Sequence, residues 1–280
     1  MLTRLLLVAA ALFVAGCART INLLNPFSPR FQGAFAAPAA GRTDSPANLR
    51  VVTFNIKLAD RIGAAIHVLR DSMLRDADII SLQEMDETGT DRIARALRVN
   101  YVYYPSSIHP TRGRYFGPAL LTRWPIEKSW KVLLPHEGPL RRQRRSATAA
   151  LVNVRGTRIR VYAVHLETQF RSPMYHRTEQ AAAILADAVA ETGPVIVAGD
   201  FNGCGVARQF EQNGFAWPTK NVGRTIRIFS WDHIFVRGIR LRGSAAGKVN
   251  EVRGASDHRP VWASLVLSEP PAIITSDRSK

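Results

Sequence analysis

The stretch "VAGDFNG" (197–203) closes an apolar run on Asp200, Phe201, Asn202 and Gly203. A carboxylate and an amide at the end of a buried strand are placed to meet polar groups from other strand ends. Such groups recur: each buried strand is expected to stop at one, namely Asn55, Glu84, His165, Asp200 with Asn202, Asp232, and Asp257 with His258. Singly, each has a local explanation, because Asn and Asp suit turns. Together they would line one rim, where rigid elements hold side chains at fixed separations. Carboxylate and amide oxygens suit a hard cation such as Mg²⁺ or Mn²⁺, and no Cys/His cluster has zinc spacing. Two histidines add acid–base groups near neutral pH. This set is equipped for attack of water on a phosphate ester.

The elements that must carry these residues follow from periodicity. "LRVVTFNI" (49–56) and "ADIISLQE" (77–84) read as buried strands. Between them Ile62, Ile66, Leu69 and Met73 recur at helical spacing, with Asp60 as a candidate N-cap. A short amphipathic helix over 90–98 and the strand "NYVYYP" come next. Four strand-like runs follow: "GPALLTRWPI", "EKSWKVLLP", "SATAALVNVRG" and "TRIRVYAVHLE". "SPMYHRTEQAAAILADAVAETG" is the clearest helix, with Ser172 placed to cap it, Pro173 in its first turn and Gly193 at C′. "PVIVAGD", "FSWDHIFVRG", "IRLRGSAAGKVNEV" and "RPVWASLVL" complete the β content. Many strands with a few covering helices predict an α/β fold of two sheets in one domain.

The motifs "TFNI", "LQE", "VHLE", "AGDFN", "WDHIFV" and "SDHRPV" occur in the order found in the endonuclease/exonuclease/phosphatase superfamily, which the chain resembles over about 49–268. The resemblance implies a four-layer α/β/β/α sandwich of two mixed sheets, with a catalytic domain over 49–268 and a metal-dependent phosphohydrolase site. It implies Glu84 as main metal ligand, assisted by Asn55 and Asp257. Asp200 would orient or deprotonate the attacking water, and Asn202 would hydrogen-bond the phosphoryl oxygens or the nucleophile. His258 would polarise the scissile phosphate, with Asp232 fixing its tautomer. His165 would stabilise the phosphorane or protonate the leaving oxygen; the resemblance leaves open which histidine is the acid. The spacing around Asp200 and Asp232 leaves no room for large insertions, so the chain is a compact member.

Lys and Arg number 38 against 22 Asp and Glu, a net charge of +16, which favours a polyanionic partner, nucleic acid first and phospholipid headgroups or small phosphate esters second. "RRQRR" supplies Arg141, Arg142, Arg144 and Arg145 as a candidate phosphate clamp. Tyr115, Phe116, Phe170 and Tyr175 could flank a groove and stack on bases. No obligate protein partner is evident. "MLTRLLLVAAALFVAGC" reads as a secretory signal (1–17) ending in a bacterial lipobox whose Cys17 receives a diacylglycerol. That places the protein in the bacterial cell envelope, lipid-anchored and periplasmic or outer-membrane-associated. Cys204 then has no disulfide partner and reads as a bystander thiol. Residues 18–48, rich in Ala, Pro, Gly and Ser, are expected to be a flexible tether, and 269–280 a tail. Cys17→Ser should abolish lipid labelling and release the protein from washed membranes; a variant that stays membrane-bound, beside a wild type that takes up no labelled lipid, would refute the anchor.

Overall fold

The computed structural model describes residues 20–37, 48–71, 73–139, 141–189, 193–203 and 205–267. Cys17, Cys204 and the C-terminal tail lie outside them. In chain order the elements are β1 (Ile21–Asn22), β2 (Phe31–Gly33), β3 (Asn48–Asn55), α1 (Ile62–Leu69), β4 (Ile79–Met85), α2 (Glu87–Leu97), β5 (Asn100–Tyr103), β6 (Ser107–Ile108), β7 (Tyr115–Thr122), β8 (Ile126–Glu137), β9 (Arg144–Val154), β10 (Thr157–His165), α3 (Met174–Val189), β11 (Val195–Asp200), α4 (Ala207–Gln212), β12 (Asp232–Arg237), β13 (Arg240–Lys248) and β14 (Val261–Val266). One sheet has nine strands, with β1-β6-β7-β4-β3-β14-β13 as its main path and β5 and β2 branching from β7. The other has five, in the order β12-β11-β10-β9-β8.

Side-chain alternation explains the layering. Strands buried on both faces read as near-continuous apolar runs, and successive residues point to opposite faces. Val51 and Ile79 on one sheet, and Val161, Ala163, Ile196 and Ala198 on the other, meet in the core between the sheets. Their neighbours Val52, Phe54, Ile80 and Leu82 face a second core under α1 and α2. Tyr162, Val164, Val195 and Val197 face a third under α3 and α4. Three cores between four layers make the expected α/β/β/α sandwich.

Towards the rim carrying Asn55 and Asp200 the inter-sheet packing turns polar. The Ser81 hydroxyl donates to the Ala198 carbonyl across the gap at 2.8 Å, and the Gln83 amide donates to Ser81 and Thr53. Satisfied in this way, buried polar groups fix one arrangement where apolar packing alone would tolerate several.

Three expectations are corrected. Residues 20–37 are not a tether: β1 pairs with β6, β2 pairs with β5, and the Lys131 ammonium on β8 donates to the carbonyls of Leu23 and Ser28. Low apolar periodicity hid a strap that is held through its backbone. Asp60 does not cap α1, which begins after Arg61 with no side-chain cap; Asp60 instead accepts from Arg112 and Arg114. The Ser172 hydroxyl, buried ahead of α3, makes no hydrogen bond. By contrast Asp86, unremarked in the sequence, caps α2 by accepting from the Gly89 N–H at 2.7 Å.

Gly199 fixes the strand that ends at Asp200. It pairs with Val164 on parallel β10, and a Cβ there would lie 2.0 Å from the Val164 carbonyl oxygen. Backbone cannot yield as a side-chain tip can. Gly199→Ala should therefore destabilise by about 3 kcal/mol or more; urea unfolding with an unchanged midpoint would contradict the close approach.

Candidate active site

Register brings the predicted residues to one rim. β10 and β11 run parallel and β12 antiparallel to β11, so His165, Asp200 and Asp232 stand abreast on neighbouring strands. Asp232 thus starts its strand rather than ending it, and Asp257 and His258 likewise precede β14. An antiparallel strand reaches the same rim with its first residue. On the other sheet Asn55 ends β3 and pairs with Gln83, one residue before Glu84. Glu84 has a φ of +60°, within the register shift between Leu82 and Met85 where β4 pairs with β7. A bulge with a non-glycine residue in the left-handed region is costly and re-aims a side chain.

Asp200 is the hub. One of its carboxylate oxygens accepts the Asn202 backbone N–H at 2.8 Å. The other accepts the Asn55 amide at 3.0 Å and lies 3.6 Å from His165 Nε2 and 3.7 Å from His258 Nε2. The Asn55 amide also donates to Glu84 Oε1 at 3.2 Å, and Glu84 Oε2 accepts the Leu58 N–H at 2.9 Å. Asn202, at a φ of +49°, donates its amide to the Leu166 carbonyl, and Gly203, at +146°, turns the chain away. His258 Nδ1 lies 2.9 Å from Asp232 Oδ2. Asp257 is half-exposed, 3.3 Å from the Lys57 ammonium.

The electrostatics separate the two histidines. Burial lowers the affinity of His258 for its proton, but Asp232 and Asp200 outweigh burial and push it up to about 10. His165 is held well below the usual imidazole range by burial, Arg145 and His258. Arg145 Nη1 lies 3.2 Å from His165 Nδ1. A guanidinium can only donate, so Nδ1 accepts and the imidazole proton sits on Nε2, toward Asp200. Asp200 is pushed up to about 7 by burial, against His258, which lowers it, and with Asp232, which raises it. His233, beside Asp232 in "WDHIFV", is a buried neutral core histidine, lowered to about 4 chiefly by burial.

The four arginines of "RRQRR" do not act as one clamp. Arg141 and Arg145 line a recess of about 540 Å³ with Glu84, His109, Glu167 and Arg171. Arg142 turns to Glu137 at 2.7 Å. Arg144 precedes Arg145 on β9, and strand alternation sends it to the opposite face. Phe116 is buried beneath Arg145, 5.6 Å from its guanidinium, whereas Tyr115 packs on Phe31 and Tyr175 on His136. Phe170 is 67% exposed and joins Phe229 and Trp231 in an aromatic ridge next to His258. A larger recess, about 640 Å³, lies at the other end of β8 among Arg30, Tyr101, Arg123 and Lys128, with Glu127 as its one carboxylate; it lacks the paired acid–base groups of the first.

Residues 52–258 match the profile of the Endonuclease/Exonuclease/phosphatase family. The chain belongs to that family. Solved structures sharing the fold include the endonuclease/exonuclease/phosphatase from Bacteroides vulgatus (TM-score 0.64, 21% identity, covering 79% of this chain and 99% of that one). Sphingomyelinase C from Streptomyces griseocarneus is similar (0.60, 19%, 78% and 99%), as is a humanised D. rerio TDP2 carrying 14 mutations (0.60, 19%, 78% and 98%). Likeness at such identities establishes the fold. A search of curated proteins finds no match.

Two groups compete as a cation site in this family member. Among the described residues, ligand atoms of Asp200, Asp232 and His258 converge within 4.8 Å. Within that trio Asp232 is engaged by His258 Nδ1 at 2.9 Å, a pairing that orients the imidazole. The Glu84 set offers only oxygens: a carboxylate re-aimed by a bulge, the Asn55 carbonyl, which accepts one bond from the Lys57 N–H and keeps a lone pair, and Asp257, already facing a cation. The oxygens of Glu84 and Asn55, side chains joined at 3.2 Å, suit a hard divalent ion, while Asp257 is turned to Lys57. Sequence reasoning missed Lys57, the contact of Arg145 with His165, and Glu167, which lies within "VHLE" but takes its meaning only from the recess.

The raised His258 has a measurable sign. Its folded value of about 10 exceeds the unfolded value of roughly 6.5, so its contribution to stability is complete below about pH 6.5 and is lost as pH rises through about 10. Imidazole ¹⁵N spectra should show His258 doubly protonated at pH 8, and Asp232→Asn should lower its titration point. Titration of the wild-type ring near pH 6.5 would refute the charged pair.

Proposed function

We propose that the protein is a divalent-metal-dependent phosphodiesterase that hydrolyses its substrate with water activated by Asp200. The observation that supports this best is the convergence of Asn55, His165 and His258 on one Asp200 oxygen. A base works best with an affinity near the working pH, and Asp200 is poised at about 7. Its other oxygen is tied to the Asn202 N–H, and the oxygen that accepts the Asn55 amide is the one facing both imidazoles. There Asp200 takes a proton from water as the oxygen attacks phosphorus; the bond from phosphorus to the opposite ester oxygen breaks, and that leaving oxygen takes its proton from one of the two imidazoles or from solvent. His258, charged and held by Asp232, donates to the phosphoryl oxygens as negative charge builds on them. His165, neutral with its proton on Nε2, donates a second hydrogen bond without adding charge.

Glu84, Asn55 and Asp257 would hold Mg²⁺ or Mn²⁺. Bound there, such an ion polarises a phosphoryl oxygen and offsets the repulsion between phosphate and carboxylates.

The net charge of +16 and the arginines of the recess support a polyanionic substrate, nucleic acid being the reading drawn from composition. A second reading, phosphodiesters in lipid headgroups, is favoured by the apolar rim: Phe170 and Ile228 are 67% and 69% exposed, and Ile228 has no ring to stack on a base.

Asp200→Asn keeps the shape and removes the base, and should cut turnover by about 10²–10⁴-fold with little change in Tm. Chelation by EDTA should abolish activity, and Mg²⁺ or Mn²⁺ should restore it. The assay pairs plasmid DNA, RNA, phospholipid vesicles and bis(p-nitrophenyl) phosphate. Full activity in EDTA, or near-normal turnover by a folded Asp200→Asn protein, excludes this mechanism.

A further inference from the structure

The strap enters the fold at the catalytic mouth. The Thr20 N–H donates to the Arg141 carbonyl at 2.9 Å. The Asn22 side chain donates to the Arg142 carbonyl at 2.7 Å and accepts the Arg144 N–H at 2.8 Å, so it clasps the loop between β8 and β9 from both sides. β1 pairs Ile21 with Ile108 and Asn22 with Ser107, at the start of the segment that brings His109 and Thr111 to the recess. From there the strap runs away from the mouth, past Lys131 and on to Phe31–Gly33 beside β5.

Cys17 precedes Thr20 by three residues. Three Cα–Cα steps span at most about 11 Å. The expected 31-residue tether (18–48) is in effect this leash, because the body is already engaged at Thr20. Among the described residues no helix is long and apolar enough to cross a bilayer; the expected attachment is the lipid on Cys17. The surface beside the leash suits a lipid interface. Ile21 and Leu24 on the strap are 61% and 49% exposed, and Phe170 and Ile228 project on the other side of the mouth. Arg141 and Arg171 lie between, at the recess itself. Apolar side chains on either side of a pair of arginines match an anionic headgroup layer over hydrocarbon.

We propose that the Thr20–Asn22 clasp holds the catalytic mouth against the bilayer into which the lipid on Cys17 inserts, so that the partner of this face is a membrane surface. The docking rests on the leash, the clasp and the exposed rim. Its consequence for substrate, that the site works on phosphodiesters lying in the same membrane, rests in addition on the phosphodiesterase reading.

The test uses the full chain, produced with its own N-terminus in a lipoprotein-processing bacterium and reconstituted into phosphatidylethanolamine/phosphatidylglycerol vesicles. In a Cys204→Ser background, a fluorophore is attached at Thr111→Cys, at the mouth, or at Lys128→Cys, near the far end of β8 and about 30 Å away. Nitroxide-labelled lipid should quench the first probe and not the second. Inserting about twenty Gly/Ser residues before Thr20, a coil of roughly 25 Å, should remove the difference. The same insertion should slow hydrolysis of vesicle phosphodiesters by about tenfold or more and leave bis(p-nitrophenyl) phosphate unaffected. Equal quenching at both ends, a difference that survives the insertion, or release of the wild type from membranes with Cys17 unmodified overturns the docking. Selective quenching in a protein that hydrolyses neither of these substrates, nor plasmid DNA or RNA, upholds the docking and sinks the phosphodiesterase reading instead.

Discussion

A hydrogen bond, 3.0 Å from the Asn55 amide to the Asp200 carboxylate, joins the rim of one sheet to the rim of the other beside the His258–Asp232 pair. Everything at the site depends on the two sheets arriving at a separation where that bond can form. The separation is set below it, where Val51 and Ile79 pack against Ala163, Ile196 and Ala198. Small residues on the five-stranded sheet let the larger ones opposite approach closely. The polar contacts of Ser81 and Gln83 then close the remaining gap just beneath the rim. Core volume is thereby coupled to catalytic geometry: an extra methylene between the sheets would lengthen the one contact that positions Asp200 against Glu84.

Charge is arranged around this junction in alternation. Two buried carboxylates, Asp200 and Asp232, flank the His258 imidazolium, and a buried guanidinium, Arg145, sits behind the neutral His165 within 3.8 Å of Glu167. Each buried charge has an opposite neighbour, without which its desolvation would be prohibitive. The same pairing divides the work between the histidines. Both imidazoles face the same oxygen, yet a carboxylate behind one and an arginine behind the other give them different charge.

Much of this was legible in the sequence, for identifiable reasons. Apolar runs with period-two faces announced the strands, and Asn55, Glu84, Asp200 and Asp232 stood at their ends because a rim must be built from strand termini. Direction was not legible: whether a polar residue starts or ends its strand depends on which neighbour it pairs with, as Asp232 shows. Nor was the separation of Arg144 from Arg145, which hinges on where β9 begins. The strap was missed for another reason. Its contacts near the mouth are made by backbone groups and by Asn22, and backbone hydrogen bonds leave no trace in a hydropathy pattern. Asp60 looked like a helix cap because a local partner is the usual one; its real partners, Arg112 and Arg114, are some fifty residues away.

The clasp at Thr20 and Asn22 also bears on the order in which the molecule is made. Its partners are Ser107 and Ile108 on one side and Arg141 to Arg144 on the other, far along the chain. Closing so large a loop costs entropy that local contacts do not return. The strap therefore locks only after β7, β8 and β9 have paired, although it is the first of the described segments to leave the ribosome. It carries few buried groups, the mark of a segment with low local stability. A segment that borders the recess thus closes only after the strands it clasps are in place, and the shape of the mouth is completed at the end of folding rather than at its start.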